Sequence, residues 1–273
     1  MAKTSREIKA HLKNVDVVFE LLDARAPLAS RNPMMHEITK GKPRLIILMK
    51  ADLAPHKVLT QWVTYFHNEF TRAITVDAKG GRGIENIVEK ATELMRAKRE
   101  RAQARGLKNR PIRAMILGIP NVGKSTLINR LVKRKATKVG DVPGVTKHLQ
   151  TVRIHEELSL LDTPGVLWPK FEDPEVGKKL ALLGAIRDPI LALDDIAVYG
   201  IAWLLEHKHD ALNAHYDISV VPSASIMDVF DAIGKRRGFL VAGGAIDYDR
   251  VIERFIHDFR HHKFGPIMLD VIP

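Results

Sequence analysis

The run Gly118-Ile119-Pro120-Asn121-Val122-Gly123-Lys124-Ser125 constrains the fold more than any other stretch of the chain. It follows the apolar segment Ile112 to Leu117, which reads as a buried strand, and precedes Ser125-Thr126-Leu127-Ile128-Asn129-Arg130-Leu131, which has helical spacing. Strand, glycine-punctuated turn and helix in that order make a phosphate-binding loop, whose backbone N–H groups close around phosphate oxygens at a helix N-terminus. Asn121, Val122, Gly123, Lys124, Ser125 and Thr126 are the candidate phosphate-facing residues. Lys124 reaches the β- and γ-phosphates, and Ser125 offers its hydroxyl to Mg²⁺. A domain carrying this loop is expected to be a doubly wound α/β fold with a mostly parallel sheet and its site at the strand ends.

Hydrolysis of a triphosphate also needs a metal and a group that senses the γ-phosphate. Asp162-Thr163-Pro164-Gly165 closes the apolar run Leu158 to Leu161, which sets Asp162 at a strand end toward the metal and leaves the Gly165 N–H for the γ-phosphate. Between the two motifs lies Pro143-Gly144-Val145-Thr146, in a polar segment that reads as a loop. Thr146 is the favoured switch threonine over Mg²⁺, with Thr137 and Thr151 as competing choices. The expected catalytic set is Lys124, Thr146 and Gly165, and the expected metal set is Ser125, Thr146 and Asp162.

The choice of base is written upstream. Leu45-Ile46-Ile47-Leu48 has a buried-strand pattern ending in Met49-Lys50-Ala51-Asp52, which resembles the Asn-Lys-x-Asp element of GTPases. There the aspartate accepts from guanine N1–H and N2–H₂ while the lysine stem covers the ring. Adenine lacks that donor pair, so Lys50 and Asp52 select GTP and GDP. A third strand, Ala73 to Val76, runs into Asp77-Ala78-Lys79, where related GTPases carry Ser-Ala-Lys with a backbone N–H on guanine O6. Two positions depart from the pattern. Met49 stands where an asparagine amide would hold guanine N7 and brace the phosphate loop, and Asp77 replaces the serine.

In a Ras-like GTPase the guanine motifs come last; here they come first. A doubly wound domain tolerates this rearrangement because its termini can lie close together, so old ends can be joined and the chain cut elsewhere. The charged helical pattern from Ile84 to Arg105 reads as the new link. The chain is thus similar to the circularly permuted GTPases, and among them to the bacterial ribosome biogenesis GTPase A family. Asp23-Ala24-Arg25-Ala26-Pro27 and Ser30-Arg31-Asn32-Pro33 add specific agreement over essentially the whole length. The family's usual opening, Trp-Phe-Pro-Gly-His-Met-x-Lys, is absent from this chain, which begins Met1-Ala2-Lys3, so the histidine the family places near the nucleotide is not expected.

The resemblance implies a circularly permuted GTPase domain over residues 1–170 and a helical domain over 171–273 that contacts RNA. It implies a GTP-hydrolysing assembly factor that binds the large ribosomal subunit and its rRNA late in maturation, with GTP state controlling binding and release. A GTPase serving tRNA modification or another RNA transaction, and a nucleotide-independent RNA-binding protein, are the alternatives. In Ras-like enzymes a glutamine after the Asp-x-x-Gly glycine orients the attacking water; Val166 holds that position here, so intrinsic hydrolysis is expected to be slow and stimulated by the ribosome. Related GTPases with asparagine at the Asn121 position bind K⁺ beside the phosphates, making K⁺ a candidate cofactor beside GTP, GDP and Mg²⁺.

Charge fits a polyanionic partner: 43 Lys+Arg against 32 Asp+Glu give a net charge of +11. The cations cluster at Lys98-Arg99 with Arg101 and Arg105, at Lys133-Arg134-Lys135 with Lys138, at Lys235-Arg236-Arg237, and at Arg260-His261-His262-Lys263. Such runs are either solvated helix faces or an RNA-phosphate surface. No cysteine is present, which suits a reducing cytoplasm, and no apolar run approaches membrane-span length. A monomeric, cytoplasmic protein is expected. From Pro174 onward four helices are expected, Glu175–Ile186, Asp194–His209, Ser223–Lys235 and Tyr248–Phe259, with Ser223 and Asp247 as N-caps and Pro222 or Gly234 as punctuation. His207-Lys208-His209 reads as a solvated helix end in preference to a metal pair, because no third ligand is evident.

Overall fold

A computed structural model describes residues 2–107, 110–133, 150–162, 173–186 and 192–273. The chain divides into two compact units, Met1–Lys170 together with Met268–Pro273, and Phe171–Ile267.

In the first unit the described residues form one six-stranded sheet from β1 (Val17–Asp23), β2 (Arg44–Met49), β3 (Thr71–Val76), β4 (Ile112–Gly118), β5 (Gln150–His155) and β6 (Leu158–Asp162). The spatial order is β3-β2-β1-β4-β6-β5, parallel throughout except that β5 runs against β6. β1 and β2 are buried at every position. This is why Leu45–Leu48 of β2 reads as a continuous apolar run instead of alternating, as expected for parallel strands covered on both faces, while β1 carries the buried carboxylates Glu20 and Asp23 in the same setting. The helices are α1 (Ala2–Leu12), α2 (Pro33–Ile38), α3 (His56–Phe66), α4 (Asn86–Ala104) and α5 (Lys124–Lys133). Leu22, Ile46 and Leu48 pack with Trp62 and Phe66 of α3, while Val18, Met115 and Leu117 pack with Ile8 of α1 and Met35 of α2.

Parallel pairing brings the carboxyl ends of β1, β2, β3, β4 and β6 to one edge, so Asp23, Met49, Val76, Gly118 and Asp162 finish there together. The chain leaves β1 toward β2 but leaves β4 toward β6 and β5. Winding therefore reverses between β1 and β4, and ligands of doubly wound folds bind in the crevice at such a reversal. The linking helix α4 is anchored at the opposite edge. Lys98 donates to buried Asp16 at 3.0 Å, Arg110 adds bonds of 2.7 and 2.8 Å to the same carboxylate, and Arg99 pairs with Glu157 at 2.9 Å.

The second unit contains α6 (Pro174–Leu182), α7 (Leu193–His207), α8 (His209–Tyr216), α9 (Ile226–Arg237) and α10 (Tyr248–Arg260) among its described residues. Its core includes Ile201, Leu204, Tyr216, Ile233, Val251, Phe255 and Phe259. One carboxylate lies within it: Asp258 accepts from His215 Nε2 at 2.9 Å, Tyr216 Oη at 3.2 Å, Arg254 Nε at 2.9 Å and His257 Nδ1 at 3.3 Å.

Several expectations need correction here. The expected helix Asp194–His209 stops at His207, because Lys208 leaves helical geometry with φ −149° and ψ 40°, and α8 begins directly after it. The three residues His207-Lys208-His209 are thus a joint between helices. Asp247 does cap α10, but Ser225, not Ser223, caps α9, in a reciprocal capping box with Asp228. Gly234 is not punctuation. It sits inside α9, where a Cβ would come 2.7 Å from Ile246 Cγ2, so it permits close packing. Residues 268–273, expected with the helical domain, belong to the first unit: Met268 and Ile272 pack against the Trp62 cluster, and the Leu269 N–H donates to the Arg25 carbonyl at 2.7 Å.

Candidate functional site

The phosphate loop leaves β4 at Gly118 and enters α5 at Lys124. Two residues in left-handed backbone conformations turn it, Asn121 with φ 57° and Gly123 with φ 105°. Val122 is buried and fixes the loop to the core, whereas Asn121, Ser125 and Thr126 are exposed around the first turn of α5. The Leu127 N–H bonds to the Gly123 carbonyl at 2.9 Å, which starts the helix. Lys124 is almost fully buried at the first position of that helix. Helix N-termini attract anions through the helix dipole and unpaired N–H groups, so this arrangement fits a polyphosphate. Asp162 closes β6 at the same sheet edge, in register with Ile116 of β4.

The guanine-motif residues arrive from β2. Met49 pairs in register with Asp23 on one side and Val76 on the other. It is fully buried, and a Cβ placed on Gly123 would lie 3.2 Å from its terminal methyl. The thioether therefore packs beneath the phosphate loop, at the place where the sequence pattern calls for a bracing amide. Lys50 then adopts φ 58°, and the chain enters a short 3₁₀ turn, Ala51–Leu53, with Asp52 exposed.

Lys50 does not wave in solvent. Its ammonium donates to Asp23 Oδ2 at 2.9 Å. The same carboxylate takes a two-pronged contact from Arg25, Nε to Oδ1 at 2.8 Å and an Nη to Oδ2 at 2.7 Å, and accepts the Arg25 backbone N–H at 3.1 Å. Burial opposes ionisation of Asp23, but Arg25 and then Lys50 outweigh it and hold the carboxyl well below the usual carboxylate range. Lys50 itself is lowered, by burial first, with Asp23 opposing that shift. Ser30 Oγ accepts from the Asp23 N–H at 2.9 Å and donates to the Ala26 carbonyl at 2.7 Å, while Asn32 caps α2. The family motif Asp23 to Pro33 is thus one folded loop over the end of β1. Its second support is Asp270, which accepts from the Leu28 and Ala29 N–H groups at 2.7 and 2.9 Å.

Asp77 behaves differently from the serine it replaces. It is buried and turned into its own loop, accepting from the Gly80 N–H at 2.7 Å and from Arg82 at 3.1 Å. A Cβ at Gly80 would come 2.1 Å from that carboxylate, so any side chain there would have to displace Asp77 from these bonds. Ala78 beside it is buried, and Arg130 of α5 donates to the Lys79 carbonyl, tying this loop to the phosphate-loop helix.

The structure thus gathers Lys50, Asp52, Asp77, Ala78 and the 121–126 loop at one sheet edge, with the backbone of Asp162. Thr146 and Gly165, like Thr137 and Val166, lie outside the described residues. Sequence reasoning missed Asp23, Arg25 and Asp270 as parts of this region. The first two were visible only as a family signature, and Asp270 carried no local signal. The basic groups are partly spent internally: besides the α4 pairs, Arg236 binds Asp217, Arg237 donates to the His215 carbonyl at 3.0 Å, and Arg260 donates to the Ala181 carbonyl at 2.8 Å. No helix among the described residues is long and apolar enough to cross a membrane.

Comparison with known proteins places this geometry. Residues 113–219 match a family profile described as 50S ribosome-binding GTPase, beginning at the phosphate-loop strand and leaving out the upstream guanine-motif strands, as a permuted order requires. Ribosome biogenesis GTPase A of Bacillus pumilus is 47% identical over 270 residues, covering 99% of this chain and 95% of that protein. The protein of the same name in Priestia megaterium is 48% identical over 271 residues, covering 99% and 94%. Mitochondrial ribosome-associated GTPase 1 of Xenopus tropicalis is 33% identical over 290 residues, covering 99% and 92%. Among solved structures, YlqF from T. maritima bound to GNP superposes with a TM-score of 0.65 at 25% identity, covering 99% of this chain and 98% of that one.

Proposed function

The chain belongs to the ribosome biogenesis GTPase A family, and from that premise we propose that it binds the large ribosomal subunit and its rRNA late in maturation, with GTP favouring attachment and GDP favouring release. It is a GTPase of ribosome biogenesis with a doubly wound, circularly permuted P-loop domain. The observation that carries the finer reading is the meeting, at one sheet edge, of the β2-end guanine motif with the β4-end phosphate loop. In this reading the helical unit is the RNA-contacting module, and the protein acts as a cytoplasmic monomer.

Each residue has a role. Asp52 accepts from the guanine edge, the Lys50 stem covers the ring, and Asp77 and Ala78 form the loop beside O6. The 121–126 loop holds the phosphates with Lys124 at their β/γ end, and Ser125, Thr146 and Asp162 would hold Mg²⁺. When bound, that ion supplies positive charge to the phosphate oxygens. Asn121 would place K⁺ beside them. Gly165 meets the γ-phosphate and lies within a few residues of the boundary at Lys170, so nucleotide state can act on the backbone that joins the two units.

The test is co-sedimentation with purified large subunits in a non-hydrolysable GTP analogue and in GDP, for wild type and Lys124→Ala. Tighter binding with the analogue is expected for wild type alone, and equal affinity in both nucleotides overturns the switch. Guanine reading is tested separately. Asp52→Asn should lower GTP affinity by roughly five- to 150-fold, the equivalent of about 1–3 kcal/mol for a mismatched polar group. Unchanged preference for GTP over ATP would sink that assignment.

A further inference from the structure

The reading of Lys50 as the residue that covers the guanine ring leaves open how a long, flexible side chain is held ready for it. Here its ammonium is already seated on Asp23 Oδ2 at 2.9 Å, although the side chain keeps 26% of its exposure. Asp23 is in turn immobile: its side chain is 3% exposed, Arg25 grips both its oxygens, and Arg25 is 2% exposed. The loop carrying Arg25 is fixed from outside by the Leu269 N–H and the Asp270 carboxylate. The four methylenes of Lys50 thereby span from the end of β2 to the end of β1, the strand that borders the reversal of winding.

From this geometry we propose that Asp23, braced by Arg25, is the positioning residue for Lys50, fixing its stem in the ring-covering conformation before the nucleotide arrives. The inference rests on the Lys50 assignment made above. A free lysine side chain loses rotamer freedom on ordering, and a preorganised one has lost it already. That difference corresponds to about a tenfold to thirtyfold gain in guanine-nucleotide affinity. Asp23 need not touch the nucleotide to deliver it.

The experiment is a double-mutant cycle on the full chain, read as the dissociation constant of fluorescent GDP. Asp23→Asn alone would strand the buried Arg25 charge, which can unfold the protein. The pair Asp23→Asn/Arg25→Met removes both charges together and keeps the test available. In the Lys50 background the pair should weaken GDP binding about tenfold, and in the Lys50→Met background it should add less than about twofold. An equal loss in both backgrounds would mean that Asp23 and Arg25 merely support the loop, and no loss in the Lys50 background would mean that Lys50 needs no seat; either overturns the proposal. If Lys50→Met alone leaves the affinity unchanged, the assignment of Lys50 to the nucleotide has failed, and the inference falls with it.

Discussion

Replacing Met49 with asparagine should move stability and nucleotide affinity in opposite directions. Met49 is fully buried with its methyl beneath Gly123, and a buried methionine is worth about 1.5–3 kcal/mol of apolar burial. Loss of most of that packing should destabilise the nucleotide-free domain by about 2 kcal/mol, or roughly 4–8 °C in midpoint for a domain of this size. The new amide can bond the phosphate loop and guanine N7. One additional hydrogen bond nets about 0.5–1.5 kcal/mol, which is roughly two- to twelvefold tighter GDP binding. Thermal unfolding without nucleotide gives the first quantity, and titration with fluorescent GDP at a temperature where both proteins are folded gives the second. A folded variant whose GDP affinity is unchanged or weaker refutes the reasoning, because the thioether would then already do what the amide does elsewhere.

The buried Asp258 gives the helical unit an acid dependence. Burial opposes its charge, yet hydrogen bonds from His215, Arg254 and His257 lower its folded pKa below 3.8, so its stabilisation is present above that value and is lost as pH falls through the folded pKa. Asp258→Asn should cost about 3 kcal/mol near neutrality, speeding amide exchange in α8 and α10 roughly 150-fold while leaving β1 and β4 unchanged, and the gap from wild type should close in acid. Equal exchange at pH 7 would show that the carboxylate carries little. For the chemical step, hydrolysis by the isolated protein should be slow and faster in K⁺ than in Na⁺, with the difference lost in Asn121→Ala. Equal rates in the two salts for wild type would remove K⁺ from the site.

What could be read from the chain followed from how local the physics is. The 118–125 loop was legible because a phosphate cradle demands glycine at fixed offsets between a strand and a helix, and Gly123 does take the left-handed φ that this requires. β2, β4 and β6 were legible from their apolar runs, whereas β1, with Glu20 inside it, and β5 were not. Asp23 was legible only as a member of a signature. Its bond to Lys50 depends on β1 and β2 lying side by side in one register, and no spacing along the chain encodes that, whereas its contact with Arg25, two residues on, is local. Met49 looked like a missing amide, and only its packing against Gly123 shows what fills the space. Asp77 looked like a serine substitute, whereas its carboxylate is consumed by Gly80 and Arg82. α8 escaped notice because its eight residues bury only Leu212 and Tyr216, too short an apolar pattern to read as a helix of its own.

The Asp270 clamp has a consequence for synthesis. Leu28 and the carboxylate that holds it are 242 residues apart, so at about 5–20 residues per second the loop over β1 emerges from the translating ribosome roughly 12 to 50 s before its clamp exists. The whole helical unit is made in the interval. A nascent chain can therefore pair β1 with β2 early, yet the loop over the end of β1 is clamped only after the helical unit has been made. A frameshift or stop that removes Leu269 and Asp270 would take away the bonds that hold Arg25, Leu28 and Ala29 from the far end of the chain.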